Sequence, residues 1–363
     1  MDTHTGTGWR IDREEVSALL GRLSEAKAPS GFEDEVVRIV REFCSGWATV
    51  EVDSLLNVTI TPANATGTRP VLLLDAHGDE VGAMVRAIKD NGAMTFVELG
   101  RFTKGTMGGQ DVYVRMADGS WVRGVMGVRP PHFTAAGQDA AGEVLLDIGA
   151  TSKRDAIERF GAGIGEPVVP ATHYSYDAAR DVAVGKAFDC RAGITAMLLA
   201  LRELSRRDDL AFDVVGCVSA QEEVGERGIE EVARRVRPQL AFAFEGCPAD
   251  DTFVPADEVQ TALGQGPMFR YFDVSIITNP RYQRFVLSVA AEQGIVCQTS
   301  VRAGGGNNGG PLQMHGVPCV VAGVPCRYIH AGAAICMLSD IEAAARIAVA
   351  TAGALTEEHA RGF

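Results

Sequence analysis

The chain has 363 residues, 46% hydrophobic and 22% charged, so it can bury a large core, and intrinsic disorder is excluded as its main state. Asp and Glu number 47 against 34 Lys and Arg, and the net charge of −13 argues against nucleic acid or an anionic membrane surface as the main partner. No apolar run approaches the roughly 18 residues of a membrane-spanning helix, and residues 1–15 lack the apolar stretch of a signal peptide. We therefore expect a cytoplasmic protein without nucleic-acid or membrane partners.

The first eighty residues alternate between helical and strand patterns. Apolar residues spaced three and four apart predict two amphipathic helices before any strand. Their apolar faces are Val16, Leu19, Leu20 and Leu23 in the first helix and Val36, Val37, Ile39, Val40 and Phe43 in the second. The strands predicted after them are Trp47–Val52, Leu56–Thr61 and Val71–Leu74. The last is short and apolar, as is typical of a buried strand in a parallel sheet.

The sequence pattern changes between about Gly82 and Asp181. Short β-rich segments alternate there with turns that contain glycine, aspartate or proline. The predicted strands are Met94–Leu99, Asp111–Met116, Trp121–Gly127 and Glu143–Ile148. This pattern predicts a small β domain at residues 82–181, inserted into a catalytic domain formed by residues 1–81 and 182–363.

Alternating helices and strands resume after the insert. The elements predicted there are a helical stripe over Ile194–Leu204, strands at Phe212–Val218, Leu240–Phe244 and Val317–Val324, and a C-terminal helix. Ser339 and Glu342 have the spacing of a capping box at the start of that last helix. This alternation of helices and strands along the chain predicts an α/β fold with a mostly parallel sheet.

Histidines and acidic residues follow the predicted strands, where open α/β sheets bind their ligands. His77 and Asp79 come directly after the strand that ends at Leu74. In an H-x-D pair the histidine can bind a metal ion while the carboxylate accepts the other ring N–H. Glu222 and Glu223 come off another predicted strand and lead into a glycine turn. The alternatives to a metal site are that His77 is a hydrogen-bonded structural residue and that Glu222 and Glu223 are solvated charges.

Three more candidate residues complete this set. Glu245 closes a strand that must be largely buried, where an unpaired carboxylate is costly and a metal ion can compensate it. His330 follows the last predicted strand, and Asp189 precedes a helix predicted near Gly193, where a helix N-cap is the alternative. Three carboxylate ligands would balance two divalent cations and one hydroxide, so the set favours a two-metal hydrolase site.

Several segments resemble the TET and glutamyl-aminopeptidase family of dinuclear-metal aminopeptidases. They are Ala76–Gly82, Gln221–Gly228 and Arg327–His330, with Lys186–Asp189 and Phe244–Gly246 in matching order. The resemblance covers nearly the whole chain. It implies a zinc-peptidase catalytic domain with a parallel sheet, interrupted by a β-barrel-like domain used in assembly and substrate access. Family members commonly form homo-oligomers, among them a hollow tetrahedral dodecamer.

The resemblance also implies a set of metal ligands. These would be His77, Asp189, Glu223, Glu245 and His330. His77 and Glu245 would bind one metal ion, Glu223 and His330 would bind the other, and Asp189 would bridge the two. Zinc or cobalt suits such a mixture of imidazole and carboxylate ligands.

The same resemblance implies two catalytic roles. Asp79 would orient His77, and Glu222 would be the general base that takes a proton from the attacking water and returns it to the leaving amine. The free N-terminal amine of the substrate would bind near one metal ion. We therefore expect a metal-dependent aminopeptidase that trims short peptides.

Two residues depart from the family pattern. Asn308, in the glycine loop Gly304–Gly310, stands where an aspartate is usual, so we expect different hydrogen bonding beside the site. Cys190, directly after Asp189, is also less usual. A thiol there can tune metal preference or become oxidised, and a packed small side chain is the simpler interpretation.

Three other functions are weighed against this one. A related dinuclear-metal carboxypeptidase or deacylase would carry an α+β lid as its insert, which the β-rich texture disfavours. A non-catalytic assembly subunit of the same fold would have no reason to keep Glu222. A glycosidase can use paired carboxylates, but its mechanism needs no metal-binding histidine.

Overall fold

The computed structural model describes residues 9–133 and 144–363. The strands in these residues are β1 Ala48–Val52, β2 Val58–Pro62, β3 Val71–His77, β4 Gly82–Ile88, β5 Met94–Leu99, β6 Asp111–Arg115, β7 Trp121–Gly127, β8 Leu145–Asp147, β9 Pro167–Pro170, β10 Ser175–Asp177, β11 Val182–Gly185, β12 Asp213–Ser219, β13 Leu240–Pro248, β14 Met268–Phe272, β15 Gln298–Val301, β16 Cys319–Arg327 and β17 Ala334–Met337. The helices are α1 Arg13–Glu25, α2 Asp34–Cys44, α3 Lys153–Glu158, α4 Phe188–Leu204, α5 Arg227–Val236, α6 Pro280–Glu292, α7 Gly309–Met314, α8 Leu338–Ala354 and α9 His359–Gly362. Of the strand predicted at Glu143–Ile148, Glu143 lies outside the described residues.

A large mixed sheet forms the centre of the molecule. Its eleven strands, counted over the described residues, run in the order β1-β2-β12-β3-β13-β16-β17-β11-β10, and β14 and β15 extend it beside β16. The four central strands β12, β3, β13 and β16 are parallel, whereas the strands that flank them pair antiparallel. The predicted α/β fold is confirmed, and its parallel part is concentrated at the centre of the sheet.

Helices cover both faces of these central strands. The larger apolar core joins one face of the sheet to α1, α2, α4, α6 and α8, and a smaller core joins the other face to α5 and α7. Strands covered on both faces need apolar side chains in both directions, which explains the continuous apolar run Leu72–Leu74 at the centre of β3. The apolar residues predicted to face the core from the first two helices are buried, except that Phe43 is half-buried.

The predicted capping box at the C-terminal helix is wrong. Helix α8 begins at Leu338, and no side chain caps its N-terminus. The backbone N–H of Ser339 donates instead to Asp181, 3.1 Å away, and Glu342 accepts a hydrogen bond from Arg13 at 3.0 Å. Partners distant in sequence have therefore replaced the local capping bonds.

A second structural unit, a closed β-barrel, interrupts the large sheet. The described residues give it six strands in the order β4-β5-β8-β7-β6-β9, around an apolar core that includes Val85, Met94, Val112 and Leu146. The barrel strands occupy residues 82–170, and β10 already pairs in the large sheet. The division at residues 82 and 181, and the role of this unit in assembly, stay predictions.

Two further features concern the cysteines and the length of the helices. All eight cysteines are free thiols, and all but Cys297 are buried. Among the helices of the described residues, none is both long enough and apolar enough to cross a membrane.

We predict that Phe242→Ala strongly destabilises the unit formed by the large sheet and its helices. Phe242 is fully buried in β13, with its ring centroid 4.9 Å from that of Phe244 and 6.1 Å from that of Phe269. Loss of the ring leaves a cavity, for which we expect a cost of about 3–5 kcal/mol in free energy of unfolding, measured by urea denaturation. As a control, Val97→Ala at a position 47% exposed should change it by less than about 0.5 kcal/mol. Equal effects of the two substitutions would contradict this packing.

Candidate metal centre

The candidate site lies at the carboxyl ends of the four parallel strands. His77 is the last residue of β3, Glu222 and Glu223 follow β12, Glu245 lies near the end of β13, and His330 follows β16. Because neighbouring parallel strands end at one edge of the sheet, side chains from distant parts of the chain meet there. The sequence placed Glu245 after its strand, but β13 continues to Pro248 and Glu245 belongs to it.

Asp189 reaches the site from the first turn of α4. The backbone angles of Asp189 and Cys190 are not helical, and Ala187 before them has a positive φ of 56°. Asp189 does not cap the helix, since the N-cap position is Ala187 and no side chain bonds to the first turn. The N-cap alternative is therefore wrong, and the Asp189 carboxylate points towards the histidines.

A first group of donor atoms surrounds the ring of His77. His77 Nε2 lies 3.0 Å from Asp189 Oδ1 and 3.1 Å from Glu245 Oε1. The sulfur of Cys190 belongs to the same group, in which every donor atom lies within 4.8 Å of the others. All four side chains are buried.

A second group shares Asp189 with the first. His330 Nε2 lies 3.2 Å from Asp189 Oδ2 and 3.7 Å from Glu223 Oε2. The other ring nitrogen of His330 is 2.7 Å from the carbonyl oxygen of Arg101, which fixes Nδ1 as the N–H donor. The two oxygens of Asp189 thus face different histidines, so one carboxylate joins two groups of donor atoms.

Asp79 lies on the side of the His77 ring opposite Asp189. It is fully buried, and its Oδ1 lies 3.4 Å from His77 Nδ1. Its carboxylate also accepts hydrogen bonds from the backbone N–H groups of Glu222 and Glu223, at 2.9 and 3.1 Å, and from the hydroxyl of Ser30. Asp79 therefore holds the loop that carries the two glutamates and places a carboxylate close to the histidine ring.

Burial of several carboxylates together dominates the electrostatics. Burial raises the pKa of Glu223 to about 8 and that of Glu245 to about 7, and it raises the pKa of Glu222 well above its usual value. Burial would lower the pKa of His330, but the hydrogen bond with Asp189 and the attraction of Glu223 raise it to about 9. Asp189 keeps a low pKa despite its burial, because both histidines donate to it.

These residues fit divalent cations. Within the described residues Glu223 Oε1 and Glu245 Oε1 are buried without a hydrogen-bond partner, and the 3.1 Å contact of the latter with His77 lacks hydrogen-bond geometry. Unpaired buried carboxylate oxygens are costly, and a cation would satisfy them. A mixture of imidazole and carboxylate is a donor set that zinc and other first-row divalent metals accept.

A cavity of about 1170 Å³ opens onto this cluster. The cluster residues that line it are Asp189, Glu222, Glu223, Glu245 and His330. Apolar lining comes from Phe102, Phe253, Val274, Val301, Tyr328 and Ile329. The cavity also carries charges of both signs away from the cluster, among them Arg101, Glu258 and Arg302.

Asn308, which stands where the family usually has an aspartate, forms hydrogen bonds beside the site. Its side-chain Nδ2 donates to Asp75 Oδ2 and to Ser219 Oγ, both at 2.7 Å. Burial raises the pKa of Asp75 to about 6 even though these hydrogen bonds oppose the shift. An aspartate at position 308 would place a second carboxylate against Asp75, and the neutral amide avoids that repulsion.

Some residues that shape the site were missed by sequence reasoning. Glu80 and Lys186 form a buried ion pair behind it, with Lys186 Nζ 2.5 and 2.7 Å from the two carboxylate oxygens. Both residues lie in the segments that resemble the family. Their opposite charges, close in sequence to predicted ligands, were the signal that could have identified them. The carbonyl of Arg101 left no such signal, since a backbone oxygen is present in every residue.

Comparison with known proteins identifies relatives of the whole chain. The family model of the M42 glutamyl aminopeptidases matches residues 57–347. The glutamyl aminopeptidase of Lactococcus lactis subsp. cremoris is 30% identical over 325 residues, which cover 88% of this chain and 90% of that protein.

Solved structures agree with this similarity. The TET aminopeptidase of the marine sediment archaeon Thaumarchaeota archaeon SCGC AB-539-E09 is 35% identical, with a TM-score of 0.90 over 96% of this chain and 99% of that one. The Pyrococcus horikoshii TET1 peptidase, described as able to assemble into a tetrahedron or a large octahedral shell, is 26% identical, with a TM-score of 0.82 over 94% and 100% of the two chains. Both similarities extend through the large sheet and the barrel.

We predict that the affinity of the site for a divalent cation rises with pH. In the metal-free protein Glu223 holds a proton below about pH 8 and His330 holds one below about pH 9, so a cation must displace both. Affinity is therefore lost as the pH falls, by about tenfold per pH unit for each proton displaced. Calorimetric titration with Co²⁺ at a series of pH values measures this, and Glu223→Gln should show the shallower dependence. A constant affinity would contradict these protonation states.

Proposed function

The chain belongs to the M42 glutamyl aminopeptidase family, and from this we propose that it removes N-terminal residues from short peptides with two divalent metal ions. The observation that carries the proposal is the Asp189 carboxylate, whose two oxygens face His77 and His330 in two separate groups of donors. The carboxylate of Glu222 lies beside them, with Oε2 3.9 Å from His77 Nε2.

The ligand set divides into two sites that share one residue. His77, Asp189 and Glu245 would hold one cation, and Asp189, Glu223 and His330 would hold the other. When bound, the two cations polarise the scissile carbonyl group and lower the pKa of water in the site. We propose Zn²⁺ or Co²⁺ as the metal, because both accept imidazole nitrogen and carboxylate oxygen together.

Glu222 is the proposed general base. It lines the cavity. It belongs to a third donor group with His77 and Glu223, but it is outside both groups that share Asp189. In the reaction one of its carboxylate oxygens accepts a proton from the attacking water and then donates it to the nitrogen of the leaving amine. Asp79 positions Glu222 for this step, because its carboxylate accepts a hydrogen bond from the backbone N–H of Glu222 and faces the ring of His77.

The fold also favours an aminopeptidase over the carboxypeptidase alternative. The insert is a closed barrel in the described residues, whereas the carboxypeptidase alternative predicts an α+β lid. A cavity of about 1170 Å³ has room for several residues of a peptide. Because its lining carries both charges, a substrate panel needs acidic, basic and apolar N-terminal residues.

We predict that Glu222→Gln lowers kcat by about 10²–10⁴-fold, the usual contribution of a general base, while both metal ions are kept. The measurement is the release of N-terminal residues from chromogenic aminoacyl substrates and short peptides, with metal content determined on the same samples. Glu230→Gln, at an exposed position of α5, is the matched control and should leave kcat unchanged.

Two results would count against the proposal. If the metal-loaded protein releases no N-terminal residue from any peptide of the panel, the aminopeptidase function is wrong. If Glu222→Gln keeps full activity, the assignment of the base is wrong. Release of C-terminal residues in place of N-terminal ones would support the carboxypeptidase alternative.

We also propose that the chain forms a homo-oligomer, with a tetrahedral dodecamer as the expected assembly. The similarity to the P. horikoshii TET1 peptidase, which covers 94% of this chain and includes the barrel, supports it. Light scattering coupled to size exclusion should give a mass of about twelve chains of 38.5 kDa. A mass near that of one chain would contradict the proposal.

A further inference from the structure

Cys190 lies in the candidate metal centre. None of the roles proposed above involves it, and a cysteine is less usual at this position in the family. Its side chain is fully buried. Its sulfur lies within 4.8 Å of the donor atoms of His77, Asp189 and Glu245. Atoms that bind one metal ion through bonds of about 2.0–2.3 Å must lie within about 4.6 Å of one another, so this spacing is close to that of a shared coordination sphere.

The surrounding backbone holds the Cys190 sulfur beside this group. The helical angles of α4 are broken at Cys190, and the next turn carries Gly193. A side chain at position 193 would not fit, since its Cβ would lie 2.4 Å from the Cys190 sulfur. The sulfur is 3.2 Å from the carbonyl oxygen of Phe244 and faces the backbone N–H of His77.

A second observation at the same place indicates an unsatisfied ligand. Glu245 Oε1 is buried, has no hydrogen-bond partner among the described residues, and belongs to the same group as the sulfur. The other two groups of donors in the described residues, one of them around His330, contain nitrogen and oxygen but no cysteine.

We propose that Cys190 is a fourth protein ligand of the cation that His77, Asp189 and Glu245 hold. This inference rests on the proposed metal-dependent function. On binding, the S–H bond breaks, the proton passes to solvent, and the sulfur lone pair forms the bond to the metal. The hydrogen bond that the thiol donates to Phe244 is lost in the same step.

A thiolate ligand makes the two metal sites chemically different. Sulfur is a soft donor that favours Zn²⁺, Co²⁺ and Cd²⁺, whereas Mn²⁺ and Mg²⁺ prefer oxygen. The site with Cys190 should therefore select thiophilic metals, and the site with His330 and Glu223 should discriminate less. The two cations would then bind in a fixed order, with a thiophilic metal first at the Cys190 site.

Cobalt titration of the metal-free, reduced protein tests this without an activity measurement. Thiolate bound to Co²⁺ gives a charge-transfer absorption in the near ultraviolet, which imidazole and carboxylate ligands do not give. We expect this band to grow with the first equivalent of Co²⁺ and to stop growing before the second is bound. We expect Cys190→Ser to lose the band while it still binds Co²⁺.

The matched control is Cys247→Ser. Cys247 is a second buried thiol close enough to Glu245 to feel its charge, but it is in none of the metal-binding groups of the described residues. This variant should keep the band. Persistence of the band in Cys190→Ser, or its loss only in Cys247→Ser, would overturn the inference.

X-ray absorption of the zinc-loaded wild type makes the test independent of whether a variant folds. We expect a sulfur neighbour at about 2.3 Å from zinc. Two bound metal ions without a sulfur neighbour would overturn the Cys190 assignment and leave the proposed peptidase standing. If the protein binds no metal at all, the proposed function fails together with the inference.

Discussion

Burial of several carboxylates together is the constraint on which this site depends. Asp189, Glu222, Glu223 and Glu245 meet at one edge of the sheet, and burial raises the pKa of the three glutamates. Asp189 stays ionised because a histidine donates to each of its oxygens. A cluster of this kind is costly unless cations neutralise it, which supports the proposed metal centre.

The rest of the catalytic unit keeps these groups in place. Four parallel strands, covered by helices on both faces, bring segments far apart in sequence to one edge. Asp79 then ties the end of β3 to the loop after β12 through hydrogen bonds to the backbone of Glu222 and Glu223. The barrel begins at β4, shortly after the end of β3, and so stands next to the site.

The two departures from the family pattern have separate physical effects. Asn308 puts a neutral amide against a buried aspartate, Asp75, where a second carboxylate would add charge to an already acidic region. Cys190 puts a polarisable sulfur among harder nitrogen and oxygen donors. One change removes charge behind the site, and the other places a sulfur atom within the group of donor atoms around His77.

Much of this protein could be predicted from its sequence. Apolar periodicity located the first two helices and most strands of the catalytic unit, because burial on one or two faces leaves a regular pattern. Charged residues that interrupt such patterns at strand ends, His77 and Glu223 among them, pointed to the site. The β-rich insert was also recognisable, although its closure into a barrel was implied only by the family resemblance.

Tertiary structure alone decided the remaining features. The capping bonds of α8, the carbonyl of Arg101 against His330 and the place of Cys190 beside Glu245 all join residues far apart in the chain. Periodicity reports which face of an element is buried, but not which distant atom lies opposite it. The sequence therefore determined which residues are buried and which carry charge, and the packing of the sheet determined which of them meet.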